Sequence, residues 1–227
     1  LHDEVRLSII DEMSEELLVA AAQDMDAEDL AEVLDTLPLE RGDSLIDKLE
    51  DDHRKRLEVL RSFEEGTAGR LMSNDVISVR EDISIAVVLR YLRLHPQLPP
   101  HTDALMVINE QNQYLGKLDV ADILTAQPDT QVADIMQKEV DKVYGTTSEH
   151  DLLTQFERRD LISIAVIDED NSLLGRINID DVVYLIREQA ESSLLKSAGL
   201  NQEEDLFSPM LPSARRRGVW LGINLIT

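Results

Sequence analysis

The chain has 227 residues, 43% of them apolar, which is enough to bury a real core in one large domain or two modest ones. Its formal net charge of -24, from 46 acidic and 22 basic residues, would repel a phosphate backbone and argues against a nucleic-acid partner. Because the chain has no cysteine, disulfides and thiolate metal sites are excluded.

Residues 1–63 predict a domain built only of helices, because apolar residues recur at spacings of three and four and no alternating strand pattern occurs. Ser14 and Asp26 are placed to cap the first two helices, and Pro38 permits a third to begin. The apolar face of the last helix carries Leu57, Leu60 and Phe63. Short helices at near-regular intervals indicate a small superhelix, and we expect earlier helices to be missing because the sequence opens in mid-pattern.

Residues 71–187 contain two copies of one sequence repeat. Leu115-Gly116 returns 59 positions later as Leu174-Gly175, and Leu71-Met72 returns as Ile135-Met136. Such self-similarity indicates two copies of a supersecondary unit, each too small to bury its own apolar face and therefore packed against the other. The preceding stretch, 64–70, has two glycines and no apolar periodicity, and it predicts a linker.

Each copy is predicted to contain a strand, a helix, two strands joined by a turn, and a second helix. The first copy places these elements at 76–79, 84–92, 104–108, 114–118 and 120–126. The second copy places them at 140–143, 150–158, 163–167, 173–177 and from 179 onward. The last helix meets no breaker before Gly199, so it is predicted to be unusually long.

Basic residues precede an apolar run at the far end of the chain. Arg215, Arg216 and Arg217 come shortly before Trp220, and no charged residue follows them. Basic residues stay on the cytoplasmic side of a membrane and aromatic rings favour its interface, so this run predicts the start of a transmembrane helix. It covers only half of the roughly 20 apolar residues that a spanning helix needs, so we expect it to be cut off. An ordinary core segment is the alternative.

These patterns give an α+β fold class and divide the chain into six segments. The segments are a helical N domain (1–63), a linker (64–70), the first repeat (71–128), the second repeat (129–183), a connecting helix and linker (184–212) and the start of a transmembrane helix (213–227).

Each copy of the tandem unit has Leu-Gly before its last helix and an aspartate, Asp122 or Asp181, at the start of that helix. The unit resembles the CBS domain, a regulatory module. The order of parts resembles the cytosolic part of an MgtE-family magnesium transporter: an acidic helical domain, the junction Glu64 to Met72, the repeat pair, a long exit helix and an arginine-rich apolar run. The resemblance implies a helical N domain, a tandem CBS pair and a long connecting helix. It also implies a largely soluble part of a multi-pass protein, at the cytoplasmic face of the inner membrane.

The same resemblance implies a homodimeric magnesium channel whose cytosolic domains sense magnesium. Bound Mg2+ would bridge acidic surfaces of the helical domain, the CBS pair and the connecting helix, and favour closure of the pore in the protein's own transmembrane domain. Magnesium prefers six oxygen ligands and keeps several waters, so a sensor needs only a few carboxylates. The acidity of the chain suits divalent cations, although an adaptation for solubility would give the same charge.

Two groups of acids are the candidate magnesium ligands, by position relative to the family pattern. Between the helical domain and the CBS pair, Asp29 and Glu32 could face Asp180 or Asp181. The group between the CBS pair and the connecting helix contains Glu149, Glu157, Asp160, Glu188 and Glu191. For each residue the plainer alternative is a solvated surface acid.

Adenine nucleotide binding is the competing function, in a regulatory module that controls a transporter for another ion. CBS copies that bind adenosine usually read Gly-x-x-Thr/Ser-x-x-Asp, and Asp122 and Asp181 keep the last position. Asp119 and Asn178 replace the hydroxyl residue, and a carboxylate at Asp119 would repel phosphate. The candidate nucleotide ligands are therefore Asp122, Asn178 and Asp181, and the second copy is the more permissive.

Catalytic motifs give no support for an enzyme. The five histidines have no His-x-His or His-Glu-x-x-His spacing, and no Gly-x-Ser-x-Gly or phosphate-loop motif occurs in the sequence. The sequence therefore predicts a regulatory protein without catalytic activity.

Overall fold

A computed structural model describes residues 10, 13–95, 97–138 and 140–197, without the side chains of Glu188 and of residues 191–197. Contacts divide the chain into two units, residues 1–179 and 180–227. The predicted linker beyond residue 197 and the predicted transmembrane start at 213–227 lie outside the described residues. In the part that is described, no helix is both long enough and apolar enough to cross a membrane.

Short helices form the N-terminal part of the described chain, as predicted. They are α1 (Glu15–Asp24), α2 (Ala27–Thr36), α3 (Leu39–Asp47) and α4 (Asp51–Arg61). The Ser14 side chain caps α1 by accepting a hydrogen bond from the Leu17 N–H. Phe63, predicted to lie on the last of these helices, lies two residues beyond the end of α4. The apolar faces of the helices meet in one core that contains Leu18, Leu30, Leu34, Leu45 and Leu57.

The two repeats have the predicted order of elements, with a short extra helix at the start of each. The first contains α5 (Ala68–Leu71), β1 (Ser78–Arg80), α6 (Ile85–Leu94), β2 (Ala104–Ile108), β3 (Tyr114–Asp119) and α7 (Val120–Thr125). The second contains α8 (Val132–Ile135), β4 (Lys142–Tyr144), α9 (Glu149–Arg159), β5 (Ser163–Ile167), β6 (Leu173–Asn178) and α10 (Ile179–Ser197). β1 and β4 begin two residues later than predicted, because their pairing with β2 and β5 begins only at Ser78 and Lys142.

Each repeat has a three-stranded sheet of the same topology. β1 runs parallel to β2, which runs antiparallel to β3, and β4, β5 and β6 repeat this arrangement. The register pairs Val79 with Val107 and Val143 with Val166. The middle strands bury nearly all their residues, as expected for strands that are covered on both faces.

The segment before the first strand of each repeat pairs with the last strand of the other repeat. Ser73 pairs with Arg176 on β6, and Gln137 pairs with Lys117 on β3. Glycine is required at the crossing points, since a Cβ on Gly116 would lie 2.0 Å from the Gln137 carbonyl oxygen. A Cβ on Gly175 would lie 2.5 Å from the Ser73 carbonyl oxygen. The glycine of the recurring Leu-Gly pair therefore lies where the backbone of the other repeat crosses the last strand of the sheet.

The two repeats pack against each other, as their size predicts. Met106 and Tyr114 of the first repeat share an apolar cluster with Ala165 and Ile167 of the second. The turns before β3 and β6 are also joined, because the Tyr114 N–H donates to the Asn171 carbonyl at 2.8 Å. The repeats therefore form one body with a mixed apolar and hydrogen-bonded interface.

Candidate functional site

The first predicted group of acids lies on α2. The apolar residues of α2, among them Leu30 and Leu34, are buried on one side of the helix. Asp29 and Glu32 lie one turn apart and are exposed, as is Asp35 one further turn along. The burial pattern of α2 thus leaves a row of three carboxylates on its outer side.

Glu28, next to this row, is partly buried. Burial raises the pKa of its carboxyl, and the neighbouring charges of Asp26 and Asp29 act in the same direction. Hydrogen bonds from its own backbone N–H and from the Ser73 side chain act against this rise in pKa. Since Ser73 belongs to the segment that pairs with β6, Glu28 marks a contact between the helical domain and the CBS-like pair.

A second contact between these parts is made by Arg70, in the segment between them. The Arg70 guanidinium forms an ion pair with Asp35 on α2, and its Nη2 donates to the Ala31 carbonyl at 3.2 Å. The Arg70 side chain is only 10% exposed. Sequence reasoning missed this pair, because nothing in a single sequence links residues 35 positions apart. The one available signal is that Arg70 is the only basic residue of the junction 64–72.

The junction itself is docked on the second repeat. The Gly69 N–H donates to the Gly145 carbonyl at 2.7 Å, and the Ala68 N–H donates to the Thr147 carbonyl at 2.8 Å. The Glu149 N–H donates to the Gly66 carbonyl, also at 2.8 Å. The stretch predicted as a linker is therefore hydrogen-bonded along its length to the turn before α9.

The second predicted group of acids is spread along α9. Glu149 is the first residue of α9 and is half-buried, whereas Glu157 is exposed near its other end. Asp160 follows the helix in a left-handed conformation with φ 50° and is exposed. Eight residues of helix separate Glu149 from Glu157 by about 12 Å. These two carboxylates cannot share one ion, so α9 offers two separate acidic places, with Asp160 beside the second.

The remaining predicted ligands lie on α10. Asp180 and Asp181 are in its first turn, Asp180 exposed and Asp181 half-buried. Glu188 and Glu191 lie further along the same helix, and their side chains are not described. That these acids face α2 or α9 stays a prediction.

The described residues supply the right donor atoms for magnesium in small numbers. Carboxylate oxygens are hard ligands of the kind that magnesium prefers. Within the described ranges, no group of three or more His, Cys, Asp or Glu side chains is close enough to form a metal cage.

The predicted nucleotide residues differ in their surroundings between the repeats. In the first repeat, Asp119 precedes α7 and accepts a hydrogen bond from Gln137 Nε2 at 2.6 Å. Lys117 Nζ lies 3.3 Å from the same carboxylate, and Asp122 is half-buried in the next turn. Asp119, the acid whose charge would repel a phosphate, is therefore held in place by Gln137 and Lys117. In the second repeat the equivalent position is the buried Asn178.

Buried polar groups connect the second repeat to the loop before β2. Arg176 is almost fully buried, and its Nη2 donates to the Pro100 carbonyl at 2.8 Å. The Ser163 hydroxyl donates to Asp103 Oδ1, also at 2.8 Å. Sequence reasoning treated Ser163 and Arg176 only as strand residues, because alternation along a strand gives no sign of a partner in the other repeat. These contacts fix the loop that precedes the middle strand of the first repeat.

Two protein families match the chain. The MgtE intracellular N domain matches residues 1–66, and the CBS domain matches residues 68–129 and 132–188. The magnesium transporter MgtE of Bacillus subtilis (strain 168) is 24% identical over 221 residues, which cover 97% of this chain and 49% of that protein. The magnesium transporter MgtE of Thermus thermophilus is 29% identical over 185 residues, which cover 81% of this chain and 41% of that protein. The chain thus spans about half or less of the length of these relatives.

Solved structures of magnesium transporters are similar to this fold. The cytosolic domain of the Mg2+ channel MgtE in complex with ATP is 28% identical with a TM-score of 0.76, covering 82% of this chain and 76% of that chain. The soluble part of a magnesium transporter is 20% identical with a TM-score of 0.75, covering 79% of this chain and 70% of that chain. At that identity the second likeness shows the fold alone. The predicted order of a helical domain and a CBS pair is confirmed.

Proposed function

Because this chain belongs to the MgtE family of magnesium transporters, carrying that family's N domain followed by a CBS pair, we propose that it senses magnesium and controls a pore. The pore belongs to the transmembrane domain of the same protein, and the sensing region lies at the cytoplasmic face of the membrane. Magnesium is then both the transported ion and the regulatory ligand.

The observation that carries this proposal is the pair of exposed carboxylates Asp29 and Glu32 on α2, one turn before Asp35, which is paired with Arg70. In the proposed compact arrangement these acids would face acids of another domain, and two such carboxylates about 6 Å apart repel each other by up to about 3 kcal/mol at an effective dielectric constant of 20, before screening by salt. A hydrated magnesium ion that bridges such acids removes this repulsion in the compact arrangement only. That difference in affinity between two arrangements is what allows an ion to shift the equilibrium between them.

A second copy of the chain is part of the proposal. α6 exposes Val87, Tyr91 and Leu94, which recur at spacings of four and three and so lie on one face of the helix. Apolar faces of this kind are costly in water and are typical of protein interfaces. We infer that this face packs against the same face of a second copy.

The test is limited proteolysis of the chain across a titration from zero to about 10 mM magnesium, with sodium chloride controls of matched ionic strength. We expect magnesium, and not sodium, to slow cleavage. In the double variant Asp29→Asn/Glu32→Gln the protection should need several-fold more magnesium. The matched control Asp43→Asn/Asp47→Asn removes two exposed acids of α3 and should behave as the wild type. A wild type that ignores magnesium, or a control that shifts as much as the α2 variant, contradicts the proposal.

Adenine nucleotide binding by the CBS pair is a second candidate function. It is favoured by the ATP complex of the similar MgtE cytosolic domain and by the neutral, buried Asn178 at the position where the first repeat has Asp119. We expect calorimetry to detect ATP binding that Asp181→Asn weakens more than Asp122→Asn. Absence of heat with both ATP and AMP would remove this candidate.

A further inference from the structure

Residues 66–73, which we call the docked segment, are bound to the second repeat along their length. Four of them make backbone hydrogen bonds to it, namely Gly66, Ala68, Gly69 and Ser73. The N–H and the carbonyl of Ser73 both pair with Arg176, at 2.8 and 3.0 Å. Met72 is fully buried, and its sulfur lies beside Gly175 of β6. Detaching the segment would break several hydrogen bonds and expose apolar surface at the same time, so it behaves as part of the CBS pair.

The helical domain extends almost to the docked segment. Beyond the end of α4, the Phe63 N–H donates to the Leu60 carbonyl at 3.2 Å, so the backbone of this domain is held up to Phe63. Glu64 and Glu65 then separate the two bonded parts, and both are exposed and lie outside the helices and strands. A change in the angle between the two parts is therefore easiest at these residues, because their backbone dihedrals can change without exposing a core side chain.

Three polar contacts reach across these two residues, from the segment that follows them to the helices of the N-terminal domain. They are the contacts of Arg70 with Asp35, of Ser73 with Glu28 and of Asn74 Nδ2 with the Arg56 carbonyl. Polar groups can exchange such partners for water at a small net cost, which suits a contact that forms and breaks. The ring of Phe63 also lies against Gly69 and Gly145, but Phe63 is next to the two residues and moves least when they bend.

We propose that the helical domain turns on a joint of two residues, Glu64 and Glu65, while the docked segment stays on the CBS pair. The inference rests on the proposed function, in which magnesium shifts the arrangement of these domains. The stretch predicted as one linker is then divided, because its first two residues bend and the rest acts as part of the second repeat. Arg70 moves with the CBS pair and loses Asp35 whenever the helical domain turns away, so this ion pair belongs to the compact arrangement only.

Spin labels and amide hydrogen exchange, both measured on the whole chain, test the joint. Because the chain has no cysteine, labels can be attached at Glu16→Cys in α1 and Glu169→Cys in the second repeat, both exposed positions. The distance distribution between the labels and the exchange of peptides that span 66–73 are recorded in EDTA and in about 10 mM magnesium. We expect the distribution to be at least twofold broader in EDTA, while the exchange rates of the docked segment change by less than twofold.

The variant Asp35→Arg should turn the helical domain away without any change in magnesium, because it sets a like charge against Arg70. In magnesium it should broaden the distribution as EDTA does, again with unchanged exchange in the docked segment. The matched control is Asp43→Arg, which makes the same change of charge at an exposed position of α3 and should keep the wild-type distribution.

The outcomes separate this proposal from magnesium sensing. Exchange of the docked segment that rises tenfold or more whenever the distribution broadens would place the joint inside 66–73 and overturn the proposal. A narrow distribution in every sample would overturn it as well, since the helical domain would not turn at all. A distribution that is equally broad with and without magnesium, over a docked segment that stays protected, would support the joint and contradict magnesium sensing.

Discussion

The ring of Phe63 occupies the space that a side chain on Gly145 would need. A Cβ on Gly145 would lie 2.4 Å from Cε1 of Phe63, and a Cβ on Gly69 would lie 2.4 Å from Cγ of the same ring. Gly69 belongs to the junction and Gly145 to the turn before α9, so Phe63 is inserted where the helical domain, the junction and the second repeat meet. The two positions are small so that an aromatic ring can fit between them.

The variant Gly145→Ala should therefore destabilise the fold. The added methyl group must displace the ring or the backbone, and overpacking of this kind typically costs about 1–3 kcal/mol. We expect urea unfolding to show a loss of stability in this range. The double variant Gly145→Ala/Phe63→Leu should recover part of the loss, because the smaller side chain vacates the space. A loss that Phe63→Leu does not reduce would contradict the steric explanation.

Gly42→Ala is the matched control for this prediction. Gly42 lies in α3, where a Cβ would be 3.5 Å from Leu34 Cδ2, an ordinary van der Waals contact. Alanine is favoured over glycine within a helix by about 0.8–1.0 kcal/mol. The same added methyl group should thus raise the free energy of unfolding at Gly42 and lower it at Gly145.

The crossing points of the repeats should tolerate substitution least. A Cβ on Gly116 would meet the Gln137 carbonyl oxygen at 2.0 Å, and one on Gly175 would meet the Ser73 carbonyl oxygen at 2.5 Å. Both obstacles are backbone atoms that take part in sheet pairing, so neither can move without breaking hydrogen bonds. We expect Gly116→Ala to cost at least about 3 kcal/mol and Gly175→Ala slightly less.

Gly66→Ala separates this clash from backbone strain. Gly66 has φ +72° but nothing within 4 Å of its Cβ position, so its substitution imposes only conformational strain. We expect it to cost about 1 kcal/mol in the same urea experiment. Equal losses at Gly66 and Gly116 would mean that the carbonyl contacts do not determine stability.

The repeat and the chain order of its elements can be predicted from sequence, because periodicity and turn residues are local signals. The bounds predicted for the strands 104–108 and 163–167 match β2 and β5, which have neighbours on both sides. β1 and β4 differ from prediction because only their partner strands decide where pairing begins. Arg70 with Asp35 and Phe63 with Gly145 join distant parts of the chain, so no local pattern indicates them.

The candidate acids show the same division between local and distant information. Asp29 and Glu32, which helical spacing places one turn apart, are both exposed on α2, whereas their facing of Asp180 or Asp181 stays a prediction. Position in the sequence also puts Glu149 and Glu157 into one group of acids. In the structure these two residues lie near opposite ends of α9. The number of acids in a stretch of sequence cannot distinguish one shared site from two separate sites, because it does not give the distances between their carboxylates.

The exposed face of α6 predicts the oligomeric state. Leu94 is 72% exposed, and Val87 and Tyr91 lie on the same face. We expect light scattering at micromolar concentration to give the mass of a dimer, and Val87→Ser/Leu94→Ser to give that of a monomer. Leu39→Ser, in the helical domain, removes an equally exposed leucine and should remain dimeric. A monomeric wild type, or a double variant that remains dimeric, would count against this interface.

Tyr114 predicts a loss of stability at alkaline pH. Burial in the cluster between the repeats raises the pKa of its phenol, and the nearby charge of Asp141 raises this pKa further. The unfolded chain therefore releases this proton at about pH 10, while the folded chain keeps it. Because the folded state then binds more protons than the unfolded state, the stability that this proton contributes is complete below pH 10. Above pH 10 the free energy of unfolding falls by up to about 1.4 kcal/mol per pH unit.

The variant Tyr114→Phe has no such proton, so its free energy of unfolding relative to wild type should rise between pH 9 and 11 in urea unfolding. The control Tyr144→Phe, at a 53% exposed position, should follow the wild type. If Tyr114→Phe and the wild type ran in parallel over this range, the phenol would have to be reached by water in the folded chain.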